Sequence, residues 1–117
     1  MAATTRYVLL LDLKDDPDLI AAYEQWHAPG AVPAAVVRSI RSAGIAEMTI
    51  HRAGNRLVMI MEALPGFDAA AKAASDTADP DVQAWERLMD AFQQPLPIAD
   101  GSKWTSASPI FSLTDQP

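Results

Sequence analysis

Tyr23 and His27 stand four residues apart in the stretch DDPDLIAAYEQWHAPGAVP, residues 15–33, so on a helix they share one face. A neutral imidazole beside a phenol is a pair that can move protons near neutral pH, since an unperturbed imidazole titrates near ~6.5. The plainer reading of the same residues is structural. A histidine at a helix C-terminus caps it, and Leu19, Tyr23 and Trp26 fall at the spacing of a core stripe. Other polar and aromatic residues lie near element ends: Trp26, Trp85, Glu86, Lys103 and Trp104. Aromatic planes beside hydrogen-bonding groups suit a sugar, whose C–H faces stack while its hydroxyls find polar partners. Trp85 also fits a buried helical stripe, whereas Lys103 and Trp104 fall in a loop, where packing explains an aromatic less easily.

These residues need a scaffold, and the pattern supplies one. Residues 6–13 read as a strand apolar on both faces, with Tyr7, Leu9, Leu11 and Leu13 on one side and Val8, Leu10 and Asp12 on the other. Asp16 before Pro17 is a helix start, and Pro29-Gly30 breaks that helix. Pro33 opens a second helix to residue 43, with Gly44 as its stop. Residues 45–51 form a strand with Ala46, Met48 and Ile50 on one face and Ile45, Glu47, Thr49 and His51 on the other. A hairpin through Gly54-Asn55 leads to a strand over 56–64, apolar on both faces and so expected at the sheet centre. Asp68 caps one or two helical turns over 69–74, and Asp79-Pro80 opens a longer helix to Gln93. Its apolar stripe is Val82, Trp85, Leu88, Met89 and Phe92. A long loop to Trp104 and a last strand over 109–113 complete the domain, with residues 114–117 as a frayed tail. This order is the α+β, ferredoxin-like split βαβ plan. Helices cover one sheet face only, so the second apolar face predicts a homodimer packed sheet to sheet, a dimeric α/β barrel.

Composition removes several functions. The chain has 117 residues, 50% of them hydrophobic, enough for one domain with a real core. A net charge of −6 argues against nucleic acid and against an anionic membrane surface. The absence of cysteine excludes disulfides, thiol catalysis and thiolate metal sites, and fits a reducing cytosol. With only His27 and His51 as imidazoles and no metal-binding spacing, a metal site is not expected. Glycine-rich phosphate loops and the GxSxG elbow are missing as well.

Four blocks carry a resemblance. LDLKDDPDLIAAYEQWH (residues 11–27), AGIAEMTIHRAGNRLVMIMEA (43–63), VQAWERLM (82–89) and KWTSASPIFSL (103–113) resemble, in order and spacing, the L-rhamnose mutarotase family, nearer its L-fucose branch. The resemblance implies a single mutarotase-like domain over residues 1–117 with the dimeric ferredoxin-like barrel. It implies cofactor-free interconversion of the α and β anomers of a 6-deoxy-hexose, L-fucose or L-rhamnose. It places the proton donor on His27, a substrate-contacting tyrosine on Tyr23, and further substrate contacts on Met48, Trp85 and Glu86, to which the loop residues Lys103 and Trp104 are added as sugar contacts. The base is Tyr23, Glu86 or water. Methionine at 48 and glutamate at 86 depart from the family's tyrosine and tryptophan and suggest a sugar other than rhamnose. Pro33, Ala34 and Ala35 replace a family Trp-Pro-Glu run, which predicts a reshaped pocket or lower activity. Two other readings fit the fold: a cofactor-independent monooxygenase and a non-catalytic sugar-binding dimer.

Overall fold

The computed structural model describes residues 3–117. The elements are β1 (Thr5–Leu13), α1 (Pro17–Trp26), α2 (Ala34–Ser42), β2 (Ile45–Ala53), β3 (Arg56–Ala63), α3 (Ala69–Ala78), α4 (Pro80–Asp90), β4 (Gln93–Gln94) and β5 (Thr105–Ala107), followed by a 3₁₀ turn at Leu113–Asp115. The antiparallel sheet runs β2-β3-β1-β4, and β5 also pairs with β1. The fourth ferredoxin-like strand is thus split in two, both pieces lying along β1. As expected, β3 is central.

Local signals explain most boundaries. Asp16, Asp68 and Asp79 each accept from two free backbone N–H groups of the helix they open, which satisfies donors that have no partner inside the helix. Proline follows Asp16 and Asp79 at the first helical position, where no N–H is needed. Gly44 ends α2 with φ +90°, a conformation that a Cβ disfavours. The β2–β3 hairpin turns on Gly54 at φ +60° as the first central residue, the pattern of a type II′ turn.

The helices bury one sheet face. Leu11, Leu13 and Leu57 are sealed there, and Leu13 and Leu57 pack with Tyr23, Val36, Trp85, Met89 and Phe92 in one cluster. Each such leucine contributes about 1.5–3 kcal/mol by leaving water. On the opposite face Val8, Leu10, Val58 and Ile60 stay half-exposed within a single chain. Among the described residues no helix is long and apolar enough to cross a membrane.

Four expectations need correction. Ile45 shares a face with Met48, not with Glu47: Ile45 pairs with Ala63 and Met48 with Met61, and a β-bulge between Ile45 and Glu47 inserts the extra residue that switches sides. α3 is ten residues long, not one or two turns; Lys72 and Asp76 pair one turn apart along it, and Asp76 also takes the Ser39 hydroxyl from α2. α4 stops at Asp90, and Gln93 belongs to a strand, because Lys14 N–H bonds the Phe92 carbonyl and draws the chain onto the end of β1. The last strand is Thr105–Ala107, and residues 109–112 form no ladder. Pro109 has no N–H to donate, so pairing ends before it, leaving Ile110 100% exposed.

Candidate active site

The helix-covered face does not close completely. Between it and the helices lies a cavity of about 750 Å³, within the range of small-molecule sites. Leu9, Met48, Ile50, Met59 and Met61 form its sheet-side floor, and α1, α4 and the loop before β5 contribute its polar wall. The seven residues expected to act on or contact the sugar, Tyr23, His27, Met48, Trp85, Glu86, Lys103 and Trp104, line this one space, whereas Trp26, named beside them, does not.

His27 is the C-cap of α1. Its Nδ1 lies 2.7 Å from the Tyr23 carbonyl. A carbonyl only accepts, so Nδ1 carries the proton and Nε2 is the nitrogen left for exchange. The capping and catalytic readings of His27 are therefore one geometry: the bond that satisfies a free helix carbonyl also locks the ring. The imidazole packs against the Tyr23 ring at 4.2 Å between centroids and meets Trp85 edge-on at 5.4 Å. Tyr23 thus supports His27 through its backbone carbonyl and ring face.

The Tyr23 side chain is 3% exposed. Burial pushes its phenol above 10.0; the Gln93 amide pulls the other way, and the Glu86 charge adds to the rise. Tyr23 therefore keeps its proton at neutral pH. Lys103 reaches from the loop to α4, with Nζ 2.6 Å from Glu86 Oε2 and 2.8 Å from Asp90 Oδ1. Burial alone would lower the Lys103 ammonium, but the Asp90 and Glu86 carboxylates outweigh it and hold it above 10.5. This pairing orients Glu86 at the cavity edge and pins the loop that carries Trp104.

Trp26 belongs elsewhere. It is 40% exposed and packs edge-on against Trp85 at 6.3 Å. With Pro33, Ala34 and Ala35 it lines a separate hollow of about 420 Å³. The departure at Pro33, Ala34 and Ala35 thus faces this outer hollow, while Val32, Val36 and Val37 line the main cavity.

Sequence reasoning missed two features of the cavity. The Ser39, Lys72 and Asp76 group lines it from α2 and α3. Gln93, 8% exposed, lines it from β4, and its Oε1 has no hydrogen-bond partner among the described residues. The one local hint for Gln93 is a polar side chain directly after Phe92 and two residues ahead of Pro95.

The family described as L-rhamnose mutarotase matches residues 6–113. The chain belongs to the L-rhamnose mutarotase family. Within reach of this mutarotase family, the chain is 52% identical over 111 residues to a protein of Xanthomonas campestris pv. campestris named L-fucose mutarotase, covering 94% of this chain and 89% of that one. It is 34% identical over 91 residues to a UPF0734 protein of Dictyostelium discoideum, covering 77% and 71% respectively. The crystal structure of an L-rhamnose mutarotase from Formosa agariphila superposes with a TM-score of 0.67 over 93% of this chain and 98% of that one, at 16% identity. That likeness establishes the shared mutarotase fold.

Proposed function

We propose that this protein is an isomerase that interconverts the α and β anomers of a 6-deoxy-hexose, L-fucose first and L-rhamnose second, and that it works as a homodimer. The observation that carries the reading is the His27 imidazole, locked through Nδ1 on the wall of a sugar-sized cavity, which leaves Nε2 for proton exchange. The choice of L-fucose rests on similarity to the Xanthomonas protein of that name. The cavity's charges also balance: Arg41, Lys72 and Lys103 stand against Glu47, Asp76 and Glu86. A neutral polyol suits such a lining better than a sugar phosphate.

The reaction needs little equipment. His27, as imidazolium, gives a proton to the ring oxygen while the Glu86 carboxylate takes the proton of the anomeric hydroxyl. The C1–O5 bond breaks and the aldehyde forms. After rotation about C1–C2, O5 attacks the other carbonyl face. O5 returns its proton to His27 as Glu86 protonates the new anomeric oxygen. A positioned acid and base are each worth roughly 10²–10⁴-fold, ample for a step this facile. Tyr23 stays protonated and donates a hydrogen bond, while Trp85 and Trp104 offer planes to the sugar's C–H face. The homodimer reading is supported by Val8, Leu10, Val58 and Ile60, an apolar sheet face left half-exposed. The test is anomer exchange by saturation-transfer NMR. His27→Ala is expected to lose the acceleration while staying folded, with a melting temperature lowered by the lost cap and ring contacts, and unchanged exchange would overturn the reading.

A further inference from the structure

Gln93 pairs across the ladder with Leu13, which is fully buried on the helix-covered face. Cross-strand partners point the same way, so the Gln93 side chain enters that face beside the cavity it lines. Packing there asks for an apolar side chain. An amide is instead buried to 8% exposure, with an Oε1 that no described residue satisfies. Folding exposes such an atom to the full desolvation cost, and native proteins leave few of them. The oxygen itself is sealed behind the cavity wall that Gln93 lines, so an amide turned about χ3 toward a ligand hydroxyl would be met there.

We propose that Gln93 is a substrate-binding residue whose amide takes a hydroxyl of the bound sugar and helps select which sugars fit. This rests on the mutarotase reading above. A hydroxyl both donates and accepts, as does the amide, and rotation about χ3 presents either edge to the cavity at small cost. The Tyr23 phenol lies next to the amide, so the two form one polar corner in an otherwise methionine- and leucine-floored space. Such a corner discriminates by the position of a hydroxyl, since a sugar lacking it leaves the amide unpaired.

The test compares wild type with Gln93→Leu, similar in size and unable to hydrogen-bond, on L-fucose and its 2-, 3- and 4-deoxy analogues. The expected result is a KM for L-fucose raised about tenfold with kcat within about threefold, and a melting temperature unchanged or higher. One deoxy analogue should lose about tenfold in kcat/KM on wild type and nothing further on the variant, the signature of a shared contact. An unchanged KM, or equal losses on both proteins for all three analogues, overturns the proposal. Gln93→Met serves in the same way if the leucine variant fails to fold. If wild type does not accelerate exchange of either sugar, the mutarotase reading falls. Gln93 is then judged by L-fucose titration followed by NMR: a wild-type Kd matched by the variant, or no binding at all, overturns it, and a tenfold weaker variant supports it.

Discussion

The two faces of the sheet are built from similar residues and end in opposite situations. On the inner face Leu11, Leu13 and Leu57 are sealed by helices, and farther along Leu9, Met48, Met59 and Met61 stop short of closure and floor a cavity. On the outer face Val8, Leu10, Val58 and Ile60 are just as apolar but only partly buried, and among the described residues no helix covers them. Ion pairs flank that apolar centre: Arg6 with Glu62 at 2.7 Å, and Arg56 with Asp12 at 2.8 and 3.1 Å. An apolar centre with a polar rim is how a protein interface is composed. The inner face holds a cavity because its helices leave room. The outer face is suited to assembly because it has no helices.

The comparison breaks most sharply at His27. Its alanine variant should lose about 10²–10⁴-fold in anomer exchange with no change in sedimentation, because the ring serves the cavity and not the outer face. Next comes the core. Leu57→Ala should cost about 2–5 kcal/mol in denaturant unfolding, since the hole it leaves is enclosed. On the other face, Val58→Asp should halve the sedimenting mass at micromolar concentration; a wild-type protein already sedimenting as one chain would remove the assembly role altogether. A smaller effect sits at Tyr23. Its phenol is raised above 10.0 by burial, so the unfolded chain ionises first as pH rises. Stability is then full below about pH 10 and falls above it. Melting curves from pH 8 to 11 should decline more steeply for wild type than for Tyr23→Phe. The smallest effect belongs to the rim. Arg6 and then Thr4 hydrogen-bond the Glu62 carboxylate and hold it below 4.5, so its contribution is present above that pH and fades as pH falls through the folded value. Arg6→Ala should shift the acid unfolding midpoint only slightly, because the pair is exposed.

Much of the molecule is legible from neighbours in the chain. Asp16-Pro17 and Asp79-Pro80 mark helix starts wherever they occur, and Gly54 marks a turn, because caps and backbone preferences act within a few residues. The shared helical face of Tyr23 and His27 follows from spacing alone, and the seven residues expected to touch the sugar, Met48 among them from the resemblance, converge on one cavity. Trp26, on the same helix, is 40% exposed instead and packs edge-on against Trp85, which also meets His27.

By itself the sequence determined the element order, the doubly apolar strands and the helix that carries Tyr23 and His27, since each depends on short-range sterics and hydrophobic period. Only the tertiary structure decided that Ile45 crosses a bulge to join Met48, that the last strand breaks into Gln93–Gln94 and Thr105–Ala107, and that Lys103 reaches back to Glu86. It alone turned Gln93 from a helix end into a buried cavity wall. These outcomes depend on which distant backbone offers a free hydrogen-bonding edge and where packing leaves a gap, and neither is set by residues adjacent in the chain.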